Sequence, residues 1–83
     1  MLKERIGHIT HYFDRIKVAV LELDDSLSTG ETVLFEKDNQ GFAQSIMSMQ
    51  VDKKPIKTAT KGMEVGVKVE APVKPGFEVY RVK

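Results

Sequence analysis

The amino-acid sequence predicts an all-β fold, a small closed β-barrel of six or seven strands, and three observations carry that expectation. Val, Ile and Thr together number 20, against nine for Leu plus Ala, and β-branched side chains suit a pleated surface better than a helix. Residues 59–69 hold the clearest periodicity. Val65, Val67 and Val69 share one phase, while Glu64, Gly66, Lys68 and Glu70 share the other, as in a half-buried strand. No stretch sustains apolar residues at helical spacing. Short segments separated by turn signals every 8–12 residues or so then imply a sandwich or barrel. Closure also removes the open edges that make a small sheet prone to aggregate.

The first strand is expected over residues 5–13, although neither phase is cleanly apolar: Ile6 and Tyr12 fall in one, Ile9 and Phe13 in the other. Asp14-Arg15 supplies a turn. A second strand spans residues 16–23, where the apolar run from Val18 to Leu21 implies a strand covered on both faces or bulged. Asp24, Asp25 and Ser26 end it, because such side chains bond their own backbone in turns. Gly30 is the expected left-handed position before a strand over residues 32–36. Lys37 to Gly41 forms a polar hairpin tip, and residues 42–51 read as one longer strand, with Met47, Met49 and Val51 in one phase and Ile46 in the other. Lys53-Lys54-Pro55 breaks it, since proline has no N–H for the ladder. A turn at Lys61-Gly62 opens the alternating segment. Residues 71–76, with two prolines, connect it to a last strand over residues 77–82.

Eighty-three residues suit one domain, residues 1–83, whose core must be tight because a chain this short buries only about 60–65% of its unfolded surface. With 41% hydrophobic and 30% charged residues, the composition is that of a soluble globular protein. A net charge of +1 provides no global field toward nucleic acid or membrane. The absence of cysteine excludes disulfides and thiolate metal sites. The N-terminal residues lead to no apolar signal segment, and the longest apolar run, four residues, is far too short for a bilayer. A cytoplasmic setting with no membrane partner is the expectation.

Three motifs in order define a resemblance: Leu27-x-x-Gly30-x-x-Val33, then Ile46-x-Ser48-Met49, then Ala59-x-x-Gly62-x-x-Val65-Gly66-Val67. This pattern resembles the second domain of translational GTPases of the elongation factor Tu type, over nearly the whole chain. It is also similar to the small barrel at the end of collagenase-like peptidase homologues. No Gly-x-x-x-x-Gly-Lys-Ser/Thr loop is present, so nothing cradles the phosphates of a nucleoside triphosphate. Asp38-Asn39-Gln40-Gly41 matches a switch motif in form alone.

The resemblance implies contact with the 3′ end of aminoacylated tRNA. Gln50 aligns with the adenosine-contacting carboxylate of that family and Lys53 with a nearby basic residue. Independently, Lys53, Lys54, Lys57 and Lys61 form a basic cluster, with residues 53–83 rich in Lys and Arg and residues 22–38 rich in acids. Separated in space, these would give the barrel a basic side suited to a phosphate backbone; an ordinary solvated surface is the plainer reading. His8 and His11 lie an odd number of residues apart, so one unbulged strand sends them to opposite faces. No nucleophile, base and oxyanion hole can be assembled, and no cofactor site is evident. The function expected is therefore a non-enzymatic module binding tRNA or rRNA, or the translation machinery, through Gln50, Lys53, Lys54, Lys57 and Lys61. The alternative is a protein-interaction accessory domain for a separately encoded larger enzyme, such as a collagenase-like peptidase homologue.

Overall fold

The computed structural model describes residues 2–82, which form ten strands and no helix. In chain order they are β1 (Lys3–Phe13), β2 (Val18–Leu23), β3 (Leu27–Ser28), β4 (Thr32–Lys37) and β5 (Gln40–Ser45), followed by β6 (Met49–Val51), β7 (Lys54–Ile56), β8 (Thr58–Ala59), β9 (Glu64–Lys68) and β10 (Glu78–Val82). Eight make one antiparallel sheet in the order β5-β4-β10-β1-β2-β9-β6-β7, and β3 pairs with β8 beside it. The all-β expectation holds. No helix among the described residues is long and apolar enough to cross a membrane.

The alternating segment behaves as its period requires. Val65, Val67 and Val69 are buried, while Glu64 and Lys68 face outward. They join Ile6, Ile9, Leu21, Leu23, Phe35, Ile46 and Val79 in one apolar core. Gly30 and Gly62 both adopt positive φ, 93° and 90°, the left-handed region where a Cβ is unfavourable.

The mixed phase of β1 has a structural cause. Its pairing with β10 shifts between Arg5 and Gly7, and its pairing with β2 shifts between Ile9 and His11. Each bulge inserts one residue and reverses the alternation, so Ile6 and Ile9, three apart, both reach the core.

The expected strand over residues 42–51 is two strands. β5 pairs with β4 and β6 pairs with β9, with residues 46–48 between them. Met49 enters the core, whereas Met47 is 80% exposed. Lys53-Lys54-Pro55 does not end the sheet either. Val51 pairs with Lys54 across a two-residue turn in which Asp52 and Lys53 both have positive φ, 51° and 66°. Such primed turns match the twist of a hairpin, and Pro55 is tolerated because β7 lies at the sheet's end.

The expected closed barrel is not found. The hydrogen-bonded order ends at β5 and β7. Beside β5, a side chain takes the place of a ladder: Gln44, 6% exposed, donates from Nε2 to the Lys68 carbonyl at 2.9 Å and accepts from the Glu70 N–H at 2.8 Å. One amide thereby satisfies a donor and an acceptor that no strand pairs.

Much of the acidic segment is neutralised locally. Asp24, Asp25, Glu31 and Glu36 are held by cations from the terminal strands: Arg5 pairs with Asp24 and Glu78, Lys3 with Glu36, and Arg81 with Glu4, Asp25 and Glu31. Burial disfavours the Arg81 charge, but the hydrogen bond to Glu4 and the fields of Glu31, Asp25 and Glu4 outweigh it and raise its pKa. Arg81 also donates to the Ser26 carbonyl. Its carboxylate partners are 35–50% exposed, so water and salt screen much of the attraction. Arg81→Met is expected to lower the unfolding free energy by about 1–2 kcal/mol. Urea titration at low and high salt checks this, and a loss that shrinks with salt is the expected result.

Candidate binding groove

β2 carries apolar residues on both faces. Ala19 and Leu21 point into the core, while Val18 and Val20 point outward and are half-buried. On the outer face the strand register lines up His11, Val20, Gly66, Gln50 and Pro55 in one row, with Phe13, Val18 and Lys68 in the next. Gly66 sits mid-row without a side chain, so the surface drops there.

Two adjoining depressions result, of 410 Å³ and 310 Å³, sharing Ile16, Val18, Gln50 and Gly66. Phe13 and Ile16, 47% and 56% exposed, form one wall. Gln50, Val51, Asp52 and Lys53 form the other. A Cβ at Gly66 would lie 3.2 Å from Gln50 Cγ, 3.3 Å from Val18 Cγ1 and 3.4 Å from Gln50 Nε2. The Gln50 amide therefore lies over the groove floor. The volume falls within the range of about 300–1,000 Å³ typical of ligand clefts, which are mainly apolar with a few placed polar groups.

Of the five residues singled out from sequence, Gln50 and Lys53 line this groove, and Lys54, Lys57 and Lys61 do not. The Lys57 carbonyl accepts from Thr29 beside the β3–β8 pair. Lys61 stands in the turn whose Gly62 N–H bonds the Leu23 carbonyl. The sequence cluster is thus divided among three local structures. Sequence reasoning missed the apolar wall, whose signal was the unbroken apolar run from Val18 to Leu21 and the two hydrophobic residues flanking the preceding turn.

The β1 bulge at Thr10 does bring His8 and His11 opposite the outward residues Glu22 and Val20. His8 lies 3.5 Å from an Arg5 guanidinium nitrogen, and His11 packs against the Phe13 ring with centroids 4.9 Å apart. Among the described residues no three His, Cys, Asp or Glu side chains are grouped to hold a metal ion.

No protein-family model matches the chain. It is 34% identical over 82 residues to an uncharacterized protease of Methanocaldococcus jannaschii, a match covering 98% of this chain and 20% of that protein. The chain thus spans one fifth of that relative's length. Its fold matches the C-terminal domain of a Geobacillus thermoleovorans protein assigned to the U32 peptidases, with a TM-score of 0.89 at 19% identity over 96% of this chain and 93% of the other. The selenomethionine form of that domain gives 0.85 at 21% identity, covering 95% and 99%. At such identity the likeness shows the fold.

These similarities overturn the expected kinship with the second domain of translational GTPases. The likeness is to a protease and to peptidase C-terminal domains, not to translation-factor domains. The tRNA- or rRNA-binding role attached to Gln50, Lys53, Lys54, Lys57 and Lys61 finds no support in these similarities and is withdrawn. The alternative, an accessory domain working with a larger peptidase-like enzyme, fits better.

Proposed function

We propose that this chain is a non-catalytic accessory module that docks on a larger peptidase-type body that carries the chemistry. The observation that supports this most is the match of 98% of the chain to 20% of a protease. The remaining four-fifths of that relative provides ample length for a separate body. The C-terminal placement of the similar fold in the Geobacillus protein supports an appended role, and a cysteine-free sequence suits a cytoplasmic setting. What the module contributes is binding, through the groove over Gly66.

The purified chain is expected to show no hydrolysis of a fluorogenic casein substrate. It is also expected to co-purify with the M. jannaschii protease from which the matching fifth has been removed. Casein turnover by the chain alone that His11→Ala abolishes without unfolding would overturn the reading. So would failure of the truncated protease to retain the chain.

A further inference from the structure

Gln44 shows how this protein reads a polypeptide backbone with a single amide. Nε2 donates to one carbonyl and Oε1 accepts from an N–H two residues on, at 2.9 Å and 2.8 Å. Gln50 places the same group over the groove floor. Among the described residues its side chain makes no hydrogen bond, and its amide nitrogen stands 3.4 Å from where a Cβ of Gly66 would be. Around it stand Phe13, Ile16, Val18 and Val20, an apolar wall on the outer face of a sheet where polar residues are the norm. The charges at the rim balance: Lys53 and Lys68 against Asp52 and Glu64.

We propose that the groove over Gly66 binds an extended peptide, the Gln50 amide bonding one residue's backbone while that residue's apolar side chain rests against Ile16 and Val18. A neutral rim favours an uncharged backbone over a phosphodiester. A planar amide facing an apolar wall suits a peptide unit and its side chain. The inference rests on the accessory-module reading and names the class of molecule that module holds.

The test is titration of the nitrogen-15-labelled chain with the capped pentapeptide Ac-Gly-Gly-Leu-Gly-Gly-NH2, followed by the backbone amides of Val18, Gly66 and Gln50. Saturable shifts are expected with Leu or Phe at the centre and none with Asp. Two hydrogen bonds are at stake, so Gln50→Ala and N-methylation of the central residue are each expected to weaken binding about tenfold or less. Gly66→Val fills the floor and abolishes binding. Should that variant fail to fold, Gln50→Ala decides, because its side chain is outside the core. No saturable shift at millimolar peptide overturns the proposal, as does undiminished binding by both Gln50→Ala and the N-methylated peptide. Adenosine shifting these amides more than the peptide does overturns it in favour of a nucleobase site. Peptide binding without capture by the truncated protease removes the accessory reading and leaves the site. Capture without peptide binding removes the site alone.

Discussion

Gln44→Leu is expected to destabilise the domain by about 2–5 kcal/mol, because two backbone groups lose their partner at once. An unsatisfied buried donor or acceptor costs about 1–3 kcal/mol. The Lys68 carbonyl and the Glu70 N–H both depend on this amide. In a domain of this size each kcal/mol shifts the midpoint by about 4–8 °C, so thermal denaturation should show a fall of at least about 8 °C. Gln44→Glu separates hydrogen bonding from volume. The introduced carboxylate still accepts from Glu70 but cannot donate to Lys68. Burial disfavours its charge and raises its pKa, so this variant should regain stability as the pH falls and the carboxyl gains a proton to donate. A thermal midpoint unchanged in both variants would show that the amide bridges nothing of consequence.

Gly7→Ala is the second large effect. A Cβ there would sit 2.4 Å from the Glu22 carbonyl oxygen and 3.3 Å from the Leu23 Cα. These are backbone atoms of the neighbouring central strand, and they cannot swing aside as a side-chain tip does. Gly7 also follows the bulge that brings both Ile6 and Ile9 inside, so relief would disturb two ladders. A cost of about 3 kcal/mol, at the upper end for overpacking, is expected. Gly66→Ala is the contrasting case: its near contacts are the side chains of Gln50 and Val18, and a loss below about 1 kcal/mol is expected from their adjustment. Chemical denaturation of the two variants checks the ordering.

The residues that announced themselves in the sequence are those whose role is local. Val65, Val67 and Val69 alternate because β9 is buried on one face, and Gly30 and Gly62 mark turns that need positive φ. β1 was obscure because two bulges reverse its phase, and a bulge leaves no fixed residue signature. The break at residues 46–48 was hidden because Met47 continues the apolar period while standing in solvent. Gln44 was obscure for another reason. It shares the phase of Phe42 and Ile46, but its partners lie 24 and 26 residues away, and nothing local shows what a glutamine there would bond.

The groove was legible in part. Four consecutive apolar residues from Val18 to Leu21 suggested a strand covered on both faces or bulged, and the structure buries one face and half-buries the other. Its outer half, Val18 and Val20, became the groove wall. Gln50 and Lys53 were reached through a kinship that the comparisons replaced, yet both line that groove. The other three lysines do not line it. Lys54 pairs with Val51 on the same hairpin, while Lys57 and Lys61 belong to the later β3–β8 and Gly62 turn structures.

The central claim is that this module binds while a larger body performs the chemistry. The most direct measurement is the KM of the truncated M. jannaschii protease for a Leu-containing peptide, with and without this chain at saturating concentration. A lower KM with kcat unchanged is expected, and no such decrease when the added chain carries Gln50→Ala. A KM indifferent to the chain, or a kcat that exists only in its presence and is lost with His11→Ala, would contradict it.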